Sequence, residues 1–293
     1  MKISKFLKIT GIVFFTATLV FLGIAIYFYQ TVPMLKAIVK NDESKLYYFP
    51  SKKMLPMPDL DYSESVLHSE DTIKINTYSF KPDKKHKADL FLIYGGGGNI
   101  TTYQDMIRTL VKNGFAVYAF DWRGFGKSNG TPGYKGLLKD AEVAFADFLT
   151  KKENNSLKTV IYGMSLGTQI AIKITENNEK DIDLLVLDGT VESAQALAVD
   201  FSPVKFLKNK AKNSPQDFNR DYVAVRDIAN IKNTPKLFIH SKKDKKIPLI
   251  RGKNVYRAAK EPKTFWETET EHIMTLVKLP EETIKRIYRE LNK

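Results

Sequence analysis

Five short apolar runs constrain this chain more than any other feature. They are 90–94 (LFLIY), 115–120 (FAVYAF), 159–162 (TVIY), 184–187 (LLVL) and 236–240 (KLFIH). A strand with one wet face alternates apolar and polar residues. A strand apolar at consecutive positions needs cover on both faces. Stretches with helical spacing lie between the runs, at 102–112, 136–150 and 166–175, and another closes the chain at 280–291. Strand then helix, repeated, predicts a mostly parallel sheet flanked by helices, an α/β fold. A weaker strand is expected at 264–266, and 73–80, which alternates more, reads as an earlier antiparallel strand. The stretch 191–230 breaks the rhythm. It is longer than a simple crossover and carries Pro203 and Pro215, so it reads as a small cap over one end of the sheet.

Ahead of these elements stands a different kind of segment. Residues 9–29 (ITGIVFFTATLVFLGIAIYFY) hold no charge over 21 positions. At 1.5 Å per residue, that length crosses a bilayer core of about 30 Å as a helix. Lys2, Lys5 and Lys8 form a basic tail over 1–8, and Tyr27, Phe28 and Tyr29 close the run with aromatics suited to the headgroup level. A cleaved signal peptide is the competing reading, but the run exceeds the usual 7–15-residue apolar region and no clear small-x-small site follows. A buried core helix is the third. We therefore expect a single-pass anchor in the cell membrane. The basic tail favours an extracytoplasmic catalytic domain, against which Lys36, Lys40, Lys45, Lys52 and Lys53 weigh on the far side. Residues 30–60, broken by Pro33, Pro50, Pro56 and Pro58, read as a connector. Residues 61–293 then suffice for one α/β domain.

Composition removes several chemistries. The 293 residues include no cysteine, so disulfides, Cys-ligated metals and a Cys nucleophile are excluded. There are four histidines, His68, His86, His240 and His272, too few and too scattered for a His-rich metal site. No metal or cofactor is expected.

One motif remains that carries chemistry. Gly163-Met164-Ser165-Leu166-Gly167 follows the strand TVIY directly and opens a helix, the strand–turn–helix setting of a nucleophile elbow. A serine hydroxyl is a weak nucleophile unless it is exposed, beside a base and near donors for the developing oxyanion. A tight turn exposes it, and a helix N-terminus adds partial positive charge nearby.

Three segments then carry a family likeness. Tyr94-Gly95-Gly96-Gly97-Gly98-Asn99 follows the first core strand. Phe120-Asp121-Trp122-Arg123-Gly124-Phe125-Gly126-Lys127-Ser128, with Gly130-Thr131-Pro132 after it, follows the next, and the serine elbow is the third. Over about residues 61–293 the chain resembles the α/β-hydrolase superfamily. Within it, the chain is similar to membrane-associated serine hydrolases with a His-Gly-Asn-Ala-Gly-Asn oxyanion loop. The resemblance implies the chain order Ser, acid, His, with Ser165 as nucleophile. Only His240 and His272 follow Ser165. His240 ends a strand ahead of the best acid, which leaves His272 as the base. The implied acid is Asp244, in a turn reading His-Ser-Lys-Lys-Asp-Lys-Lys-Ile-Pro from His240, with Asp188 as reserve. The implied oxyanion donors are the backbone N–H groups of Gly96 and Leu166. Tyr94, Thr168, Ser241 and Glu271 depart from the family pattern, where His, Gly, Gly and a small residue are usual.

The expectation is a membrane-anchored serine hydrolase acting on esters or thioesters, with lipid-like acyl substrates favoured by the tether. A serine aminopeptidase of the same fold and a non-catalytic binding protein are the alternatives. Gly126-Lys127-Ser128 lacks the upstream glycine of a phosphate loop, and Lys242, Lys243, Lys245 and Lys246 lack interleaved aromatics, so no nucleic acid is expected. The formal charge of +13 is uneven. Residues 201–293 carry 22 Lys and Arg against 11 Asp and Glu, a basic half suited to anionic lipid.

Overall fold

The computed structural model describes residues 2–31, 42–152, 156–202 and 204–293. The expectations attached to Pro33, Lys36, Lys40 and Pro203 fall outside the described residues. Contacts divide the chain into two units, 1–48 and 49–293.

The first unit contains α1 (Lys2–Thr31) and the short α2 (Glu43–Leu46). Within α1, Thr10–Tyr27 has a mean hydropathy of 2.1 and none of it is buried. It is long and apolar enough to cross a membrane.

In the second unit, β1 (Phe49–Pro50) pairs with β5 (Gly97–Gly98) as a two-residue parallel ladder. The main sheet has eight strands: β2 (Tyr62–Glu70), β3 (Ile73–Phe80), β4 (Ala88–Ile93), β6 (Phe115–Phe120), β7 (Lys158–Met164), β8 (Leu184–Asp188), β9 (Lys236–Ser241) and β10 (Lys263–Thr268). Their spatial order is β10-β9-β8-β7-β4-β6-β3-β2. All neighbours run parallel except β3, which is antiparallel to both β2 and β6. The helices are α3 (Gln104–Lys112), α4 (Tyr134–Lys151), α5 (Gly167–Asn177), α6 (Ala194–Phe201), α7 (Lys205–Asn213), α8 (Ala224–Asp227), α9 (Leu249–Ala258), α10 (Thr275–Lys278) and α11 (Pro280–Leu291).

Every residue of β4, β8 and β9 is buried, as the unbroken apolar runs require of strands covered on both faces. Each fully buried Leu, Ile, Val or Phe there contributes roughly 1.5–3 kcal/mol. The closing helix shows why its sequence is helical. Pro280 opens it where no N–H is needed, Glu281 and Glu282 lie in its first turn and Arg289 in its last. Its Ile284, Ile287 and Leu291 form the buried stripe.

The strand order decides where a site forms. The chain passes from β4 to β6 on one side, then returns to place β7 on the other side of β4. Loops leaving the carboxyl ends of β4 and β7 therefore part in opposite directions and open a crevice, the usual ligand position in such sheets. Register puts Ile93 opposite Gly163, so the residues after each strand face one another. Between β8 and β9 lie α6, α7 and α8. Arg251 on α9 holds the start of this segment. Its guanidinium donates to both carboxylate oxygens of Asp200 at 2.8 Å and to Glu192 at 3.1 Å.

Candidate active site

Four adjacent strands, β7, β8, β9 and β10, bring their carboxyl ends together: Asp188 is the last residue of β8, and the loops after β7, β9 and β10 carry Ser165, Asp244 and His272. Ser165 sits one residue beyond β7 with φ of +49°, a left-handed conformation rare for a residue with a Cβ. The turn is locked on both sides. Ser165 N–H donates to the Asp188 carbonyl at 2.8 Å, and the Thr168 hydroxyl donates to the Ser165 carbonyl at 2.6 Å. That same hydroxyl accepts from Val191 N–H at 3.1 Å. Thr168, a departure from the family pattern, thus ties the elbow to the loop after β8. Gly167 is required by close approach, since a Cβ there would lie 2.2 Å from the Ile93 carbonyl oxygen.

Ser165 Oγ lies 2.9 Å from His272 Nε2, and His272 Nδ1 lies 2.6 Å from Asp244 Oδ2. The Asp244 side chain is 1% exposed and that of His272 8%. Burial pushes the Asp244 carboxyl up. The hydrogen bond from His272 and the N–H groups of Ile247 and Lys246, at 2.9 and 2.8 Å, outweigh it and hold the carboxyl below its usual range. An ionised Asp244 only accepts, so His272 keeps its proton on Nδ1, donates it in a hydrogen bond to Asp244, and presents Nε2 as the acceptor facing the serine hydroxyl. Ile273, next to His272, has φ of +54°, an outlier for a β-branched residue. Strained backbone therefore stands at both ends of the Ser–His contact, where over-determined geometry is expected of a functional site.

The other histidines are accounted for. His86 pairs with Asp89 at the opposite end of β4, and His68 stands on the edge strand β2. His240 is wholly buried behind the acid turn. Its Nε2–H donates to the Ile247 carbonyl at 3.0 Å, closing the loop that presents Asp244. Burial holds its pKa below the ordinary value, so it is a neutral prop. Ser241, another departure from the family pattern, has its own task. Its hydroxyl donates to the Thr270 carbonyl and accepts from Lys243 N–H at 2.9 Å, joining the acid turn to the loop that carries His272. Glu271 pairs with Lys278 at the surface.

Asp188 is enclosed behind Ser165. Burial pushes its carboxyl up to about 7, with the Tyr162 hydroxyl at 3.0 Å opposing and the charge of Asp244 adding to the rise. It bonds to Tyr162, whereas Asp244 bonds to His272.

The glycine loop 95–98 lies against the elbow, where a Cβ on Gly95 would come within 3.1 Å of Ser165 Cβ. This brings Gly96 and Leu166, the expected donors, to the crevice at the ends of β4 and β7. Tyr94, which replaces the family histidine, is fully buried and turns inward. Its hydroxyl donates to Asp121 Oδ1 at 3.0 Å, and Ile100 N–H donates to the same oxygen at 2.9 Å. Asp121 thus grips the loop at both ends, and its other oxygen accepts from Tyr78 and Lys127 N–H. Burial followed by the Asp121 charge pushes the Tyr94 phenol far above its usual range, so it remains a donor. Arg123, next in that motif, is also scaffold: it forms a two-pronged pair with Asp140 at 2.7 and 3.0 Å. Among the described residues no cluster of three or more His, Asp or Glu could hold a metal ion.

A parallel-dominated sheet with a serine on a strained strand-to-helix turn, followed along the chain by an acid and a histidine, defines an α/β hydrolase of the serine-hydrolase type. Comparison with known proteins agrees. The family described as serine aminopeptidase, S33, matches residues 84–218. The chain is 30% identical to the uncharacterized protein YfhR of Escherichia coli O157:H7 over 224 residues, covering 74% of this chain and 75% of that one. It is 27% identical to the alpha/beta hydrolase domain-containing protein WAV2 of Arabidopsis thaliana over 250 residues, covering 79% and 81%. In structure it is similar to the Pyrococcus furiosus esterase Pf2001, with a TM-score of 0.64 at 19% identity over 83% of this chain and 98% of that one. It is also similar to an α/β hydrolase of Vibrio vulnificus, with a TM-score of 0.68 at 18% identity over 87% and 93%. The chain belongs to the α/β-hydrolase family that includes YfhR.

Proposed function

We propose that this protein is a membrane-anchored serine hydrolase that cleaves carboxylic esters or thioesters through an acyl-enzyme. The observation that carries the reading is the continuous relay Ser165 Oγ–His272 Nε2 at 2.9 Å and His272 Nδ1–Asp244 Oδ2 at 2.6 Å. Ser165 Oγ attacks the substrate carbonyl carbon while its proton passes to His272 Nε2. The resulting oxyanion is held by the N–H groups of Gly96 and Leu166, and Asp244 stabilises the imidazolium without taking its proton. Collapse expels the alcohol or thiol, which leaves with the proton from His272. Water then repeats the sequence on the acyl-enzyme, giving up a proton to His272, and releases the acid and Ser165.

A fluorophosphonate probe tests the reading directly. Wild-type protein is expected to take the label and the Ser165→Ala variant none; equal labelling of both overturns it. A panel of p-nitrophenyl esters graded by chain length, run beside aminoacyl anilides, separates esterase from aminopeptidase. Turnover of anilides alone would favour the activity named by the family description. Ordered binding of acyl ligands without turnover or labelling would point to a non-catalytic protein.

The uncharged, uncovered stretch of α1 supports a membrane anchor over a core helix. We read residues 191–230 as the cap and α7 as the part of it that meets lipid. Lys205, Lys208, Lys210 and Lys212 are exposed on a helix without an acidic residue, and Phe206 is 75% exposed, with Val204 and Phe201 also exposed nearby in sequence. Exposed apolar groups among lysines suit the interface of an anionic bilayer. Because the chain has no cysteine, Asn209→Cys can carry a single environment-sensitive fluorophore on the full-length protein. We expect a blue shift in nanodiscs containing anionic lipid and none in zwitterionic ones. Identical spectra in both would remove α7 from the membrane surface. Digestion of the tethered domain by protease added to intact cells is the outcome expected of an extracytoplasmic domain.

A further inference from the structure

The four glycines of 95–98 raise a physical problem. An oxyanion donor must stand within a fraction of an ångström of its working position. Glycine has the greatest backbone freedom to lose on ordering, and it offers no side chain by which neighbours can hold it. Asp121 fixes the two ends of the loop, but something must also fix its middle.

The chain supplies this from outside the parallel core, through residues 49–55. Phe49 N–H donates to the Gly96 carbonyl at 2.7 Å, and Ser51 N–H to the Gly98 carbonyl at 2.8 Å. Asn99, fully buried at the end of the loop, reaches back. Its Nδ2 donates to the carbonyls of Ser51 at 3.0 Å and Lys53 at 2.9 Å. Leu55 N–H donates to Thr101 Oγ1 at 3.0 Å. The same segment is fastened to the neighbouring turn, where Gly126 N–H donates to the Ser51 carbonyl at 3.0 Å and Lys52 Nζ to the Ser128 carbonyl at 2.6 Å. Between the two strap bonds, the Gly97 carbonyl accepts from the Tyr103 hydroxyl at 3.1 Å. Three consecutive glycine carbonyls are therefore each held by a different donor, two of them from the strap. Anchoring these carbonyls fixes the peptide planes that carry the Gly97, Gly98 and Asn99 N–H groups, and the first of those planes begins at Gly96 Cα, so the residue that bears the donor N–H is held from its carbonyl side.

We infer that residues 49–53 are a strap that sets the oxyanion loop for the transition state, with Asn99 and the Phe49 amide as its positioning groups. The inference rests on the hydrolase reading above. The expected signature is a loss of transition-state stabilisation with ground-state binding preserved.

Asn99→Asp separates this role from plain support. The substitution keeps the oxygen that accepts from the Thr101 N–H and hydroxyl but removes both donors to the strap. Phe49→Pro removes the donor to Gly96 and leaves the Asn99 bonds to the strap in place, at a residue that is 55% exposed. In the full-length protein both variants should lower kcat about 10- to 100-fold, less than the full loss of a donor, with KM changed no more than about threefold. Affinity for a trifluoromethyl ketone, which mimics the tetrahedral intermediate, should fall in the same proportion as kcat/KM. Wild-type kcat and inhibitor affinity in Phe49→Pro would overturn the strap, whatever happens to the stability of Asn99→Asp. Failure of the wild-type protein to turn over any ester or take a fluorophosphonate would instead defeat the hydrolase reading.

Discussion

Replacing Ser165 or His272 with alanine is expected to lower ester turnover by about 10⁴- to 10⁶-fold, and replacing both to cost little more than either alone. The reason is in the relay. With Ser165 removed there is no atom for His272 to activate. With His272 removed, Ser165 Oγ keeps its proton, because no other histidine can reach it: His240 lies behind Asp244 with its Nε2 committed to the Ile247 carbonyl. The measurement is kcat for a p-nitrophenyl ester by each single variant and by the double variant. Turnover of His272→Ala within tenfold of wild type would remove His272 from the mechanism, and strictly multiplicative losses would deny that the two act as one unit. Residual catalysis from the oxyanion donors and binding alone should persist above the rate in water.

The parts of this site that were readable in the sequence are those that side-chain pattern encodes. Runs such as LLVL and FAVYAF announce strands because both faces are buried, and Gly-x-Ser-x-Gly announces a turn because Gly167 packs against the Ile93 carbonyl. The helix α9 was harder to see, since Gly252 sits inside it, where a Cβ would meet His240 Nδ1 at 2.3 Å. Edge strand β2 (YSESVLHSE) carries no such signal, because most of it is wet and its polar residues have no strong period. The strap was least visible of all. Residues 49–55 read as a connector because they give the glycine loop and its flank only backbone N–H and carbonyl groups, which leave no trace in their own residue types. Tyr94, Thr168 and Ser241 looked like departures from a family pattern. The structure gives each a partner, Asp121, the Ser165 carbonyl and the Thr270 carbonyl, that a one-dimensional motif cannot name.

Two carboxylates close to the relay leave one choice to be argued, and pH decides it. Asp188 ends β8 and Asp244 follows the adjacent β9, and their environments drive them apart: Asp188 up to about 7 by burial, Asp244 below the usual range because His272 and two N–H groups outweigh its burial. At neutral pH Asp244, the member that faces the histidine, is then ionised, while Asp188 is only about half ionised. The raised Asp188 has a consequence for stability. Between the unfolded value of about 4 and the folded value of about 7, the folded state keeps a proton that the unfolded state has released. Stability therefore declines as pH rises through that window and levels off above it, by roughly 4 kcal/mol if the shift is fully expressed. Asp188→Asn keeps an oxygen to accept from Tyr162 and abolishes the titration. The variant should match wild type in denaturant unfolding at pH 4 and exceed it increasingly up to pH 7, with a constant margin beyond. Its turnover should stay within a few-fold of wild type, while Asp244→Asn should fall by about 10⁴-fold because the imidazole loses the acceptor that sets its tautomer. A collapse of turnover in Asp188→Asn with Asp244→Asn spared would exchange the two roles. Parallel stability curves for wild type and Asp188→Asn from pH 4 to 8 would show that Asp188 is charged in the folded protein, and that the relay works beside a second buried anion.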